Sequence, residues 1–483
     1  MKNLKLFIGL LAGSVAYCYL MWYQKLGINA VIFAVLLITS ILYYKKEIRH
    51  NRTLLSLACL FFLASVSVAV NGIIFAKVMY YLSLFTFLSF VQAPSVRLLF
   101  SGYISFFTNL PRSFKRCFEM IKEAFAYPFV KNEKGKKRIS KRNVKAFFIR
   151  IGTAGFIVLV FLSIFISANV KFRNMWIELF NPIADFLSMI WNRVSFFDTF
   201  HFLFVLYFLS LFFLSFKPNC IVKHDLFRED NFKRKKKRLC ENGLSVKLKD
   251  EYKTALLSIV LVNLLLLFVN ITDLFSVWSG QIPETAAELS FFVHNGTYLL
   301  ILSVLISIGI ILYFFRDNLN LFRKNKKLKI AAYVWIFQNA FLLLSVGLRN
   351  IHYISECGLT YKRIGVFIFL LVTCISLVFL FLKIKEKKTF YYYARTCAWG
   401  VFSILIFSGF FNWDIMIGKY NTTYVIGNVD YEYIENLSNQ VSPYLYSDKN
   451  NYPDYVKNYI SEVENQDWQS FNWCDFRAVN KLK

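Results

Sequence analysis

Two stretches of this chain combine residue types that can hold charge or exchange protons. The first, ITDLFSVWSGQIPETAAELSFFVHNGTY, carries Asp273, Glu284, Glu288, His294, Asn295 and Thr297, and it has no lysine or arginine. The second, LRNIHYISECGLTYKR, carries Arg349, His352, Tyr353, Glu356, Thr360, Lys362 and Arg363. If the second is helical, Arg349, His352, Tyr353 and Glu356 fall along one side of it. A histidine beside a carboxylate can do acid–base work near neutral pH. An acidic stretch facing a basic one also invites ion pairs, and Asp414 can join them. Two readings compete. Either the charges staple helices together as a paired network, or they form an outward-facing pocket for a polar or anionic ligand. In the pocket, Arg349 and His352 are the contacts and Glu288 or Glu356 the base. The candidate binding set is Glu288, His294, Arg349, His352, Tyr353, Glu356, Arg363 and Asp414. No residue is assigned a catalytic role, and no cofactor is expected. The nine cysteines include no C-x-x-C pair, so no metal site is expected. The phosphate-loop, H-E-x-x-H and G-x-S-x-G patterns are absent.

The elements that must position these residues are apolar runs of roughly 16–20 residues, eleven in all: 6–23, 28–44, 53–70, 73–91, 151–169, 199–216, 254–272, 298–315, 330–348, 364–382 and 396–411. Hydrophobic residues make up 57% of the 483 and charged residues 18%, a surface that a soluble fold cannot hide and a bilayer accepts. Each run must be a helix, because lipid offers no partner to backbone polar groups. The fold class is therefore an all-α integral membrane protein of about eleven spans. The basic n-region at Lys2 and Lys5 raises a signal peptide, but no small-x-small cleavage site follows and a second apolar run comes at once, so an uncleaved first span is expected.

Charge sets the orientation. With the N-terminus cytoplasmic, about 43 of the 57 lysines and arginines fall on cytoplasmic segments and about 13 outside. The excess predicts an N-in, C-out topology. The net charge of +28 is thus a loop charge facing the cytoplasm, and nucleic acid is not an expected partner. The heaviest loops are 131–150 and 217–253, the latter containing KRKKKR at Lys233 to Arg238. They serve as topology determinants or as docking sites for anionic lipid headgroups or an acidic protein.

Five segments follow: a four-span region over 1–92, a basic cytoplasmic amphipathic segment over 93–150, two spans with an outer interfacial helix and a basic loop over 151–253, a five-span region bearing the polar stretches over 254–411, and a helical extracytoplasmic tail over 412–483. In the second, Phe114, Cys117, Phe118, Ile121 and Phe125 share a face; in the third, Trp176, Phe180, Ile183, Leu187, Ile190 and Trp191 do. The tail predicts two or three short helices, with Trp468, Phe471, Trp473 and Phe476 against the membrane body or its headgroups. Cys357 and Cys474 are the cysteines expected outside, and a disulfide between them is conceivable there. Lys77 is the clear intramembrane charge, and Gly/Pro-broken helices in symmetric positions are not apparent.

The segments V-H-N-G-T-Y (Val293 to Tyr298), L-R-N-I-H-Y-x-x-x-x-G-L-T-Y-K-R (Leu348 to Arg363) and N-W-D-I-M-I-G-K-Y-N (Asn412 to Asn421) resemble a bacterial polytopic inner-membrane family known only as a domain of unknown function. D-Y-E-Y-I-E-N-L-S and D-W-Q-S-F-N-W in the tail look similar to that family's ending. The resemblance covers roughly 250–475, with the N-terminal spans alike in layout. Where such proteins often show Tyr before the Gly of G-L-T, this chain has Cys357. The resemblance implies a bacterial inner membrane and supplies no activity. Few intramembrane charges and polar residues gathered on one aqueous face favour a non-enzymatic scaffold or signalling partner, with the bilayer and a membrane protein as partners. A transporter is the alternative, and a membrane-embedded transferase on cell-envelope substrates, using His294 or His352, comes third.

Overall fold

In the computed structural model, residues 2–130, 196–213, 220–232, 244–280, 297–316, 318–322, 324–425, 429–446 and 452–483 are described, with scattered helical positions between 153 and 181. Among them the backbone is helical with no strand, and one isolated β-bridge joins Asn231 to Lys388. The helices that matter below are α1 (Lys2–Met21), α2 (Ile28–Tyr44), α3 (Arg52–Asn71), α4 (Ile74–Gln92), α5 (Leu99–Val130), α6 (Phe196–Phe213), α7 (Cys220–Leu226), α8 (Leu244–Ser276), α9 (Thr297–Phe314), α10 (Lys326–Cys357), α11 (Tyr361–Lys385), α12 (Phe390–Ser408) and α13 (Trp413–Tyr424).

Among the described residues, five helices are long and apolar enough to cross a membrane: α3, α4, the Lys249–Ser276 part of α8, α10 and α11. The bent pair α12 and α13, turned by 61° at its break, makes a sixth if it counts as one span. Four expected spans are shorter apolar helices, over Leu6–Met21, Ile28–Tyr44, Phe197–Phe213 and Leu299–Phe314. The expected run 151–169 lies largely outside the described residues, as do the basic stretches 131–150 and Lys233 to Arg238 and most of the expected outer helix, from Ile183 on. Trp176 and Phe180 do stack, their rings 4.3 Å apart.

The chain divides into two compact units, 1–22 with 109–214 and 23–108 with 215–483. In the first, α1 packs on α6, and a Cβ added at Gly13 would meet Leu209 Cδ1 at an ordinary 3.5 Å. Trp22 Nε1 donates to Asp198 at 2.7 Å, and its indole lies 3.5 Å from the His201 ring. The expected apolar face around Phe114 is split. Ser113 and Cys117 are buried, with Ser113 Oγ 2.7 Å from the Tyr207 hydroxyl, whereas Phe114 and Phe118 are exposed. Small side chains admit a close helix approach, which pushes the large rings to the outside.

In the second unit α8, α10 and α11 enclose a core centred on Trp335, Leu342, Val346 and Leu380. Outward-facing Leu261, Leu264, Leu265 and Phe268 of α8 stay exposed, as lipid-facing positions do. Between α8 and α10 runs a polar ladder. Asn263 Nδ2 donates to the Ala331 carbonyl (3.0 Å), Asn270 Nδ2 to the Gln338 carbonyl (3.2 Å), and Trp278 Nε1 to Ser345 Oγ (3.0 Å). The partners are 68, 68 and 67 residues apart, so the two helices run parallel with a rung about every seven residues. Each such bond between membrane helices is worth only about 0.6 kcal/mol; the ladder sets register more than strength.

Helix ends in this unit find donors for their last carbonyls. Lys45 Nζ donates to Val91 O at the end of α4 (3.3 Å), and the buried Lys383 to Phe315 O just past α9 (2.9 Å). The connections sort into two groups. Residues 45–51, 92–98, 220–232, 315–325 and 383–395 are linked with one another: Asn51 to Pro94 O, the Arg97 amide to Asp225, Tyr391 to Asp225, and Arg395 to Asp230. Residues 24–28, 71–72, 358–361, 409–421 and the tail are linked with one another at the opposite helix ends.

Burial of Lys45 pushes its amino group down to about 8, with nearby Glu47 opposing the shift. The unfolded chain therefore binds the extra proton between about pH 8 and 10.5, and folding stability rises with pH across that window and is flat below it. Thermal unfolding in detergent at stepped pH should show this rise, and Lys45→Met should flatten it. An unchanged slope in the variant would assign the pH dependence to other groups.

Candidate functional site

The α12–α13 break creates the need that the surrounding residues meet. Where a membrane helix breaks, the freed carbonyls must be satisfied again. Here Trp413 Nε1 donates to Ser408 O at 2.9 Å, Ser67 Oγ to Gly409 O, and Asn71 Nδ2 to both Gly409 O (3.1 Å) and Phe410 O (2.8 Å). The donors on α3 are thus aimed at a gap in another helix. The tail closes over the same point. Gln440 Nε2 donates to Asn71 O (2.8 Å) and Asp475 (2.9 Å), its Oε1 accepts from Asn412 (2.6 Å), and Asn472 Nδ2 donates to Val68 O (2.7 Å). Asn71, Gln440 and Asn472 are all buried. Tyr459 also donates to Asp475 at 2.8 Å, and burial with that carboxylate pushes the hydroxyl well above its usual range, so it stays a donor.

The tail reaches the first extramembrane turn as well. Ile28 N donates to Phe471 O and Lys25 N to Ser470 Oγ, each at 3.0 Å. Gly27 lies so close to the Ser470 and Phe471 carbonyls that a Cβ there would strike backbone. The tail holds more elements than the expected two or three helices: after α13 come short helices Tyr431–Glu435 and Ser442–Leu445, then Asp454–Glu464 and Trp473–Leu482, with 3-10 turns between. Trp468, Trp473 and Phe476 are exposed.

The sequence-derived candidates separate into three sets. Arg349 forms an ion pair with Asp273, both side chains less than a tenth exposed, so the expected acidic-to-basic bridge exists, with Asp273 as the acid. Asp414 is buried and accepts from the Tyr361 hydroxyl and from the Ser438 amide (3.2 Å). Arg363 stacks on the ring of buried Tyr353 at 4.1 Å and donates to the Cys357 and Gly358 carbonyls, capping the end of α10. His352 is half-buried and Glu356 exposed, and neither side chain has a polar partner among the described residues. Arg349 and Tyr353 point into the core while His352 and Glu356 do not, so the helix side shared in sequence is divided by packing. Glu288 and His294 lie outside the described residues, with Glu284 and Asn295. Cys357 and Cys474 are both free thiols, and burial pushes the Cys474 thiol up. The conceived disulfide is therefore not formed.

The two described motifs lock into each other. Asn421 uses both ends of its carboxamide on Leu359, accepting from its amide (2.6 Å) and donating to its carbonyl (2.9 Å). Gly358 has φ +80°, and its missing side chain leaves space for Asn421 Oδ1. Ser67, Asn71, Gln440, Asn472, Asp475 and Tyr361 were not singled out from sequence. The available signal was Asn71–Gly72, a polar pair wedged between two apolar runs. Among the described residues, no group of three or more histidines, cysteines and carboxylates is placed to hold a metal ion.

A family described as Domain of unknown function (DUF4153) matches residues 11–447. The chain belongs to it. The DUF4153 match takes in the N-terminal spans, which the motifs over 250–475 did not reach, and most of the network around Asn71, though not Asn472 or Asp475. No curated protein and no solved structure matches the chain.

Breaking the buried Arg349–Asp273 pair should cost about 3–5 kcal/mol in either Arg349→Met or Asp273→Leu. The double variant should recover most of the loss, read as unfolding midpoints in detergent. Additive losses would show that the pair does not couple. Gly27→Ala should speed proteolysis of the tail at an otherwise folded protein; a tail cut at the parent rate would remove the docking contact as a constraint.

Proposed function

We propose that this chain is a non-enzymatic scaffold of the bacterial inner membrane, N-in and C-out, that binds a partner protein at its tail-capped outer end. The observation that carries the reading is that two of the charged candidates are taken up by internal contacts, Arg349 by Asp273, and Asp414 by Tyr361 and Ser438. A ligand pocket needs such groups unengaged. What the outer end offers instead is exposed aromatic surface on a clamped tail, Trp468, Trp473, Phe476 and Tyr431. The separation of connections into two groups matches the division by charge that the orientation rests on. The basic loops 131–150 and Lys233 to Arg238 would meet anionic headgroups on the inner leaflet.

The alternative, a permease, draws on a different observation. Along α8 and α10 the buried atoms Asn263 Oδ1, Asn270 Oδ1, Asp273 Oδ2, Trp335 Nε1 and Asn339 Oδ1 have no hydrogen-bond partner among the described residues. Such a column is what a solute or ion path would use.

Single cysteines probed in intact cells with an impermeant maleimide separate the two. The scaffold predicts labelling of Ser461→Cys in the tail, none at Lys326→Cys, and no access deeper than Asn270→Cys. Reaction at Asn263→Cys and Trp335→Cys from outside would replace the scaffold by the permease, and labelling of Lys326→Cys instead of Ser461→Cys would invert the orientation.

A further inference from the structure

At the helix ends opposite the tail, a cavity of about 610 Å³ opens between the 224–232 segment, the start of α5 and the start of α12. Its guanidinium walls are Arg228 and Arg316, with His224 Nε2 3.4 Å from Arg228 Nη2, and Ser101, Thr389 and Tyr391 add neutral hydroxyls. Two carboxylates also line it. Asp225 is buried and already accepts from the Arg97 amide (2.7 Å), the Leu98 amide (3.5 Å) and the Tyr391 hydroxyl (3.0 Å), which leaves it little to offer a ligand. Glu229 is exposed.

A second space, about 520 Å³, lies along α9 and is apolar: Ile306, Gly309, Ile310, Tyr313 and Phe314, with Ser258 of α8. Gly309 makes this groove, since a Cβ there would meet nothing within 4 Å. Arg316 connects the two spaces. It lines the polar cavity, and its guanidinium stacks over Tyr313 of the groove at 3.9 Å. A polar chamber with two exposed guanidinium groups, next to an apolar slot on a lipid-facing helix, is complementary to one kind of molecule, an amphiphile with an anionic head.

We propose that this paired cavity and groove is a binding site for an anionic phospholipid, with the phosphate held by Arg316 and Arg228 and an acyl chain laid along α9 over Gly309. Guanidinium forks match phosphate oxygens, and a chamber of this volume is within the range of small-ligand sites. The site rests on membrane residence and not on the scaffold reading, so the two can fail separately. It also differs from diffuse attraction at the basic loops, because it requires particular arginines and a groove.

The test uses the full-length protein in detergent, with lipid retention read by native mass spectrometry against added dioleoyl phosphatidylglycerol, dioleoyl phosphatidylcholine or inorganic phosphate. Phosphatidylglycerol should be retained about tenfold more tightly than phosphatidylcholine, and the double variant Arg228→Gln/Arg316→Gln should lose that advantage. Gly309→Leu places its Cβ in open space and its side chain in the groove, and should lower retention while leaving the unfolding temperature at or above the parent value. Lys326→Gln/Lys327→Gln, which removes charge outside the cavity, should leave retention unchanged. Equal retention of both lipids overturns the proposal, as does an equal loss in the Lys326/Lys327 variant. Competition by inorganic phosphate to full displacement, with Gly309→Leu silent, would make this a phosphate site and remove the lipid.

Discussion

The carbonyls freed at the break after Ser408 are the constraint on which the second unit depends. In an apolar surrounding an unpaired backbone group costs several kcal/mol, so a helix that stops at Gly409 and restarts at Trp413 needs donors brought from elsewhere. Ser67 and Asn71 bring them from α3, and Trp413 supplies one from the restarted helix itself. Once Asn71 is fixed in this role its own carbonyl needs a partner, which Gln440 provides from the tail. Asn412 and Asp475 then hold Gln440 from either side. The tail is thereby tied to the membrane helices through buried carboxamides, and the surface ion pair Lys25–Glu462 beside it adds little, being exposed on both sides.

The same logic explains why several chemistry-bearing residues of the second half are engaged with one another among the described residues. Long helices carry Asp273 and Arg349 past the ends of the apolar runs and into contact, where each neutralises the other. Tyr361 and Asp414 sit in the first turns of α11 and α13, and Asn421 in the last turn of α13 faces the Leu359 connection, where a backbone amide and carbonyl are in surplus. Arg363 folds back onto the last carbonyls of α10. The motifs over 348–363 and 412–421 are, in this light, joints between helices α10, α11 and α13.

Helical class, the apolar helices and an ion pair between the two polar stretches were legible in the sequence because hydropathy and charge are properties of single segments, though the partner Asp273 was not. The length of α10 was not either, since its polar end from Arg349 to Cys357 lies beyond the apolar run and hydropathy alone stops short of it. Nor was the role of Asn71, whose importance comes from a carbonyl 338 residues away. Partial exposure of His352 and Glu356 was also out of reach: helical spacing puts them on the side of Arg349, but the width of the buried strip depends on which neighbours pack there.

The constant offset along α8 and α10 has a mechanical meaning. Rungs seven residues apart on parallel helices stand about 10 Å apart along the axis, so a slide by a single turn, about 5.4 Å, would leave all three out of step at once, and only a shift of two full turns would bring polar residues level again. The pair therefore resists axial shear far more than its weak individual bonds suggest, and behaves as one strut. Any rearrangement of this unit has to be sought in helices that tilt or rotate against that strut, the kinked α12–α13 among them.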